Sequence, residues 1–357
     1  MPSVLALDNP AAAAPAAPAA PAAPAVALPW PPAPGGRLAD APACHAGLLA
    51  QALCDHHDQP DADHAARVLA CLHEAFSAAG AGPEVFDLPA LQARLGPTDA
   101  LVAYGRQGEE LLACVVRTAG VEVFRRLARW HDVGAAWRLA RFQLDAVCHG
   151  AGPLPDHWPT LLKRAQLRLQ GLHGLVWAPL SDALTDARRV LLVPGAGLAG
   201  LPFAALLDGL TWVAQRHLLA EVPSLALALR GLSPTATPTA TPTAEPSAGP
   251  SAEPSAAAAA CAADPGVVLL GLDEDDLRGA ANLACRVQAL LASGTSRVLA
   301  CRWPVGDAVT AAFVDRFQRE RQLGRGPAEA LSEARAGLMV NHPHPAFWAG
   351  FVLYGGW

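Results

Sequence analysis

The sequence predicts an α/β fold in which a mainly parallel sheet is flanked by helices, with a small N-terminal helical hairpin and an antiparallel meander added to it. Short segments that are almost continuously apolar alternate with longer segments whose apolar residues recur at helical spacing. Strands that are buried on both faces of a parallel sheet have this continuous apolar character. Three short strand-like segments in succession, separated by turns, indicate the meander.

The composition limits the classes of partner. The chain has 357 residues and a formal net charge of -6, from 26 Lys and Arg against 32 Asp and Glu. This balance provides no basic surface for nucleic acid, and no polybasic run favours a membrane surface. No stretch of about 18 strongly apolar residues indicates a transmembrane helix. We therefore expect neither nucleic acid nor a membrane as a partner.

The cysteine pattern and the N-terminus both favour a cytoplasmic location. Eight cysteines are scattered without a C-x-x-C pair, mostly inside apolar segments. This distribution is typical of small buried side chains in a reducing compartment. The alanine-rich N-terminus lacks the positively charged residues that begin a signal peptide.

The first 90 residues are predicted to form a disordered tail followed by a helical hairpin. Residues 1–43 are largely alanine and proline and predict a disordered tail. Residues 44–90 contain two apolar runs at helical spacing around a polar connection, which predicts a helical hairpin. The connection carries several metal-ligating residue types: Cys54, His56, His57, Asp58, Asp61, Asp63 and His64. Because their spacing matches no recognised ligand pattern, we predict a solvated turn and no metal site.

From Leu91 the pattern changes towards strands and then alternates. The meander is predicted at Ala100–Tyr104, Leu111–Val116 and Val121–Phe124, followed by helices at Val133–Val147 and Trp158–Trp177 and a strand at Val190–Val193. Residues 234–263 are rich in proline, threonine and alanine and predict a disordered linker. Beyond it we predict strands at Val267–Leu270, Arg297–Arg302 and Phe347–Tyr354, and helices at Gly279–Ser293, Ala308–Leu323 and Pro327–Val340. Asp307 is predicted to cap the second of these helices.

A glycine-rich turn after Val193 allows two interpretations. Gly195, Gly197 and Gly200 fit the pattern G-x-G-x-x-G, in which glycines let a dinucleotide pyrophosphate approach a helix N-terminus. Glu221 lies about 20 residues beyond, where a ribose-binding acid would be expected. Prolines bracket the turn and only a short apolar segment follows it. We therefore favour a tight structural turn and keep dinucleotide binding as an alternative.

Five blocks of the chain carry a family resemblance when they are taken in order. They are Leu91–Phe124, Val190–Pro194 through Leu201–Leu206 with Val222–Ser224 after it, Ala289–Asp307, Gly326–Leu331 and His344–Phe351. In this order they resemble the CHAT domain family, bacterial relatives of caspases and separase. The resemblance implies a caspase-like, CHAT-like domain over residues 91–357, interrupted by the linker.

The resemblance also implies a cysteine peptidase, in which a histidine at one strand end is the base for a cysteine at the next. The interval from Leu225 to the strand at Val267 contains no histidine. Asp273 occupies the position of the family's nucleophile, and a carboxylate cannot replace a thiolate there. Alternatively, both catalytic strands are deleted and Val267 begins an earlier strand. Either alignment leaves no catalytic residue at the family positions.

We therefore expect a catalytically inactive, pseudopeptidase module that acts in protein–protein interaction or regulation, without cofactor or metal. One alternative is an active cysteine peptidase with a rearranged dyad, for which Cys285 and Cys301 are the candidates. The other is dinucleotide binding at Gly195–Gly200. The acidic run Asp273–Asp276 could hold a cation, but a solvated turn before a helix N-terminus accounts for it better.

Overall fold

The computed structural model describes residues 43–77, 86–148, 157–195, 197–232, 267–270 and 283–357. The predicted N-terminal tail falls almost entirely outside these residues. The predicted linker at 234–263 and the acidic run from Asp273 to Asp276 lie outside them as well.

The N-terminal hairpin consists of α1 (Ala43–Asp58) and α2 (Ala62–Ser77). At the start of α2 the Asp61 carboxylate accepts the backbone N–H of His64 at 2.8 Å, as a capping residue does. The hairpin packs on the sheet through buried leucines and shares one continuous core with it. Gly105 permits this close packing, because a Cβ atom there would collide with the side chain of Leu72.

The meander follows a short helix, α3 (Leu88–Arg94), which was not predicted. Asp87 caps it by accepting the N–H of Ala90, and Pro89 lies in its first turn, which are both helix-start signals. The three antiparallel strands are β1 (Asp99–Gln107), β2 (Glu110–Arg117) and β3 (Gly120–Arg129). They are longer than predicted, because their ends carry charged residues that an apolar pattern does not reveal.

The remaining elements follow the predicted alternation of helix and strand. The helices are α4 (Trp130–Cys148), α5 (Trp158–Val176), α6 (Ser181–Leu184), α7 (Val213–Arg216), α8 (Leu225–Gly231), α9 (Leu283–Ala292), α10 (Asp307–Gln322) and α11 (Pro327–Asn341). The strands are β4 (Arg189–Val193), β5 (Leu207–Asp208), β6 (Thr211–Trp212), β7 (Leu218–Glu221), β8 (Val268–Leu270), β9 (Arg297–Cys301) and β10 (Phe351–Gly355). None of the described helices is long and apolar enough to span a membrane.

Eight strands form one sheet in the order β3-β2-β1-β4-β7-β10-β9-β8, and β5 pairs only with β6. Four neighbouring pairs are parallel: β1 with β4, β4 with β7, β7 with β10, and β8 with β9. The fold is therefore α/β with a mixed, mostly parallel sheet, which confirms the predicted class. Because β10 is parallel to β7 and antiparallel to β9, strands β8 and β9 run opposite to β4 and β7.

Two details correct the predicted boundaries at the C-terminal end. Helix α10 begins at Asp307 itself, and Gly306, with φ of 65°, occupies the cap position, so Asp307 is not the cap. Its carboxylate still lies in the first turn, where the helix dipole favours negative charge. The closing strand, β10, was predicted to begin at Phe347 but begins only at Phe351, because Pro345–Phe347 forms a 3₁₀ turn.

Aromatic side chains fill the core beside the closing strand. Phe313 of α10 stacks on Phe351 with ring centroids 3.7 Å apart, and Trp348 meets Trp212 edge to face at 5.2 Å. On the other side of the sheet's centre, the hydroxyl of Tyr104 donates to the carbonyl of Val176 at 2.9 Å. These contacts tie the closing strand and β1 to neighbouring helices.

Candidate functional site

The glycine-rich turn at the carboxyl end of β4 is a tight structural turn. Gly195 N–H donates to the Val193 carbonyl at 2.8 Å, and Leu198 N–H donates to the Gly195 carbonyl at 3.0 Å. Gly197 has φ of 82°, a conformation that favours glycine, and a Cβ there would lie 3.3 Å from the ring of Trp130. The chain then enters a 3₁₀ turn at Phe203–Ala205 instead of an α-helix. The helix N-terminus that a dinucleotide motif requires does not follow this turn.

Glu221, which a dinucleotide site would use to bind the ribose, belongs to a buried polar cluster. We define this polar cluster as Glu221, Arg302, Arg335 and Tyr354. Glu221 ends β7 and is 4% exposed, and its Oε2 accepts from Nη2 of Arg302. Arg302 follows β9, and donates in addition from Nη1 to the Leu201 carbonyl at 2.8 Å and from Nε to the Tyr354 hydroxyl at 3.2 Å. A ribose hydroxyl therefore has no access to the Glu221 carboxylate, and the dinucleotide alternative gains no support.

The electrostatics of the polar cluster follow from its burial. Burial raises the pKa of Glu221, and the positive charge of Arg302 opposes that shift. Burial acts to lower the pKa of Arg302, but Glu221 and Tyr354 raise it overall, so the guanidinium remains charged. The pair is thus an ion pair inside the core that connects β7 with the loop after β9.

Arg335 of α11 brings a second guanidinium to the same place. It is 4% exposed, and its Nη2 donates to the Phe351 carbonyl. Its Nε has no hydrogen-bond partner among the described residues. A cavity of about 10 Å³ lies beside it, lined by Glu221, Arg302, Arg335 and apolar neighbours.

Sequence reasoning missed the polar cluster, although the sequence held a signal for it. Glu221 ends a short apolar strand, Arg302 directly follows another, and Arg335 lies in an alanine-rich helix. Charged residues are rarely buried unless they are paired, so a charge inside an apolar segment indicates a buried partner. Which charge pairs with which depends on strand order, and this the sequence pattern does not reveal.

A larger cavity of about 330 Å³ lies at the opposite, amino edge of β4 and β7. Its lining includes His173, Trp177, Ser181, Asp208, Arg216 and His217. Nδ1 of His217 lies 2.6 Å from the carbonyl of Ala187, the residue two before β4. Asp208 and Arg216 form an ion pair at 2.6 Å. Burial lowers the pKa of both His173 and His217, which favours the neutral form of each ring.

A model of the CHAT domain family matches the chain at residues 166–266 and 260–356. The chain belongs to the CHAT domain family. No curated protein matches its sequence. The family match confirms the resemblance and includes the glycine-rich turn, the polar cluster and the closing strand. The CHAT domain is related to caspase-like peptidases, in which a catalytic dyad would lie at strand ends.

The described strands of this CHAT domain do not place the carboxyl end of β7 beside that of β8. After β4 and β7, the next described strand along the chain is β8. In the sheet, β10 and β9 lie between β7 and β8, and β8 runs in the opposite direction to β7. The carboxyl ends of β7 and β8 therefore lie at opposite edges. Asp273, predicted at the nucleophile position, lies outside the described residues.

The buried cysteines with a defined environment are held as thiols. Cys114 lies within β2 and Cys301 ends β9, and burial raises the pKa of each to about 12. The Cys301 thiol donates to the Trp303 carbonyl at 3.0 Å. Burial also raises the pKa of Cys148. The other candidate nucleophile, Cys285, lies in α9, and its side chain is not among the described ones.

The C-terminal histidines that follow α11 have structural positions. His344 is 1% exposed, and its Nδ1 accepts the backbone N–H of Ala346 at 3.2 Å, which starts the 3₁₀ turn. Burial lowers the pKa of His344 to about 4. His342 packs its ring against Phe347, with centroids 5.1 Å apart. Within the described ranges, no group of three or more His, Cys, Asp or Glu residues could hold a metal ion.

Proposed function

We propose that this CHAT domain is a catalytically inactive relative of caspase-like cysteine peptidases that acts by binding another protein. The observation that carries the proposal is the set of residues at the carboxyl ends of the parallel neighbours β4, β7 and β10. A Cys/His dyad needs a thiol and an imidazole within hydrogen-bond reach, which neighbouring parallel strand ends would provide. Here these strands end at Val193, Glu221 and Gly355, none of which is a cysteine or a histidine, and Glu221 is bound to Arg302.

The cysteine environments support the same proposal. A thiolate is the nucleophile, and a thiol with a pKa of about 12 is almost entirely protonated at neutral pH. Cys301 was a candidate for a rearranged dyad, and it has this raised pKa and a backbone carbonyl as its partner. In addition, the sequence between Leu225 and Val267 lacks a histidine. Among the described residues, the thiol of Cys301 is therefore not paired with a base that would remove its proton and make it a nucleophile.

Exposed apolar side chains on two helices support a role in protein binding. Leu139 and Phe142 of α4 are 48% and 67% exposed, and Leu167 of α5 is 63% exposed. Leu139 and Phe142 are three residues apart and therefore lie on the same face of α4. Helices α4 and α5 pack against each other. Exposed large apolar side chains on one helix face, such as Leu139 and Phe142, are typical of protein interaction sites.

The first experiment tests for peptidase activity. The full chain is incubated with a peptide library, alongside the variants Cys285→Ala and Cys301→Ala. We expect no cleavage above the buffer control for any of the three proteins. Cleavage by the wild type that is lost in either variant would show an active peptidase with a rearranged dyad and overturn the proposal.

The second experiment tests the binding surface. The variants Leu139→Lys and Phe142→Lys place charges on the exposed face of α4, and Leu210→Lys is the matched control, since Leu210 is 93% exposed in the β5–β6 turn. We expect a partner retained by the wild type and by Leu210→Lys to be lost by both α4 variants. Equal retention by all four proteins would exclude this surface as the binding site.

A further inference from the structure

The charges of the polar cluster do not balance. Arg302 and Arg335 are 5% and 4% exposed, and Glu221 is the one carboxylate in contact with them among the described residues. Tyr354 does not supply a second negative charge, because burial raises the pKa of its hydroxyl. Burial lowers the pKa of Arg335 to about 10, which still leaves this guanidinium protonated at neutral pH. Two positive charges therefore face one negative charge inside the core.

An unbalanced charge in the core is costly, because the interior solvates ions far less well than water does. Carbonyl groups compensate part of this cost, as Leu201 and Phe351 each accept from one of the two arginines. Nε of Arg335 has no such acceptor among the described residues. The polar cluster thus has both an excess of positive charge and a free donor.

The cavity beside Arg335 is the size of one water molecule or one small ion. Its volume is about 10 Å³, and it is lined by Glu221, Arg302 and Arg335 with Pro202 and Phe203 among the apolar walls. A cavity of roughly this volume, measured with a water-sized probe, holds one water molecule. It has no room for a phosphate, a sulfate or a carboxylate. A water molecule would fit but would leave the excess charge in place.

We propose that this cavity binds one small monovalent anion, chloride, which accepts the free Nε–H of Arg335 and balances the charge of the two buried arginines. Chloride is only slightly larger than water and carries the single negative charge that the polar cluster lacks. The ion lies between the end of β7, the loop after β9, and α11. Its binding therefore stabilises the packing of α11 on the sheet, because it favours the folded protein alone.

Bromide identifies the ion in the folded protein, since it replaces chloride and has an anomalous X-ray signal. Crystals of the full chain grown in sodium bromide are expected to show an anomalous peak in the cavity, within hydrogen-bond distance of Arg335 Nε. An ordered water at that position without an anomalous peak would overturn the proposal.

Thermal unfolding gives an independent measurement in solution. The protein is dialysed into sodium gluconate, whose anion is too large for the cavity, and chloride is added at constant ionic strength. We expect Tm to rise with chloride and then to saturate, and bromide to act similarly. If Tm does not change with the anion, and the bromide site is empty, no anion binds.

Two variants change the charge balance in opposite directions. Arg335→Met removes the excess positive charge, so the chloride dependence of Tm is expected to disappear. Glu221→Gln increases the excess, so a larger rise in Tm with chloride is expected. Arg325→Gln is the matched control, because Arg325 is an exposed arginine paired with Glu320 and Glu333, and it should keep the wild-type chloride response. An unchanged response in Arg335→Met would contradict the site. If that variant fails to fold, the bromide measurement on the wild type decides.

Discussion

Asp99 and Arg189 form the ion pair that joins the first residue of β1 to the first residue of β4. Nε and Nη2 of Arg189 donate to the two carboxylate oxygens of Asp99 at 2.7 Å each, and the Gly96 N–H donates to Oδ2 at 2.8 Å. Asp99 is 1% exposed, whereas Arg189 is partly exposed and lies over the ring of Trp357. A fork of two parallel hydrogen bonds is among the strongest ion-pair geometries in proteins. This pair fixes the position of the meander relative to the parallel strands.

Replacing Arg189 should therefore destabilise the protein by leaving a buried carboxylate without its main partner. We expect Arg189→Met to lower the free energy of unfolding by about 2–3 kcal/mol, less than for a fully buried pair because Arg189 is partly exposed. The control is Arg188→Met, the adjacent residue, whose exposed pair with Glu329 should contribute less than about 1 kcal/mol. Urea unfolding measures both. Equal losses in the two variants would contradict the assignment.

His344 should make stability depend on pH in the acidic range. Its pKa is lowered from 6.5 to about 4 by burial, so the folded state favours the neutral ring. The unfolded chain takes up this proton first, so stability is fully present above pH 6.5 and is lost as the pH falls towards 4. The loss amounts to about 3 kcal/mol. His173 and His217 are shifted in the same direction and add to the decline.

The variant His344→Asn measures the contribution of His344 to this pH dependence apart from those of His173 and His217. Asparagine keeps an acceptor for the Ala346 N–H but does not titrate, so the decline of the unfolding free energy between pH 6.5 and pH 4 should become shallower. His131→Asn, at an exposed residue, should retain the wild-type profile. Identical profiles for the wild type and His344→Asn would show that His344 does not control this decline.

At the scale of elements, the glycines at the end of β10 set how closely the closing strand approaches its neighbours. Gly355 has φ of 98°, and a Cβ there would collide with the backbone carbonyl of Ser296, just before β9. Gly356 lies in the same way against the backbone of Gly231 at the end of α8. Side chains at either position would separate elements whose backbones are in direct contact.

Gly355→Ala is expected to destabilise the protein by about 1–3 kcal/mol, through strain in the left-handed region and the backbone collision. Gly120→Ala is the matched control at a strand end, since Gly120 has no neighbouring atom within 4 Å of a Cβ and no positive φ. That change should be close to neutral. Thermal unfolding compares the two. A neutral result for Gly355→Ala would mean that the end of β10 can move away from β9.

Local sequence patterns predicted most helices and strands but not the contacts between them. The helices α4, α5 and α11 and the strands β4 and β9 were found from periodicity, because each buries a face that its own sequence marks. The seven-residue α3 was missed because it is too short to show a period, although Asp87 and Pro89 were available as signals. The glycines of the turn after β4 predicted a turn correctly, but not which ring Gly197 would contact.

At the scale of the whole molecule, the sheet order was the least predictable feature. Strand β10, from the C-terminal end of the chain, lies between β7 and β9. Long-range pairing of this kind leaves no local pattern, so the opposite directions of β7 and β8 could not be read from the sequence. The polar cluster depends on the same topology, since Glu221, Arg302 and Arg335 come from three distant segments. Family resemblance supplied the expected peptidase site instead, whereas the fold class followed from the alternation of strands and helices.

The whole-molecule prediction concerns the N-terminal hairpin, which the sequence pattern predicts to be separate from the CHAT-like domain, with a boundary at about residue 90. Leu53 and Leu72 belong to the same buried core as Leu112 and Tyr104, so the hairpin covers apolar surface of the sheet. Each leucine that becomes exposed costs about 2 kcal/mol. Removal of residues 1–77 is therefore expected to leave a protein that unfolds at a clearly lower temperature and binds a hydrophobic dye. Removal of residues 1–42 alone is the control and should leave Tm unchanged. If both truncated proteins unfold at the wild-type temperature, the hairpin is an appendage and the core of the CHAT domain is complete without it.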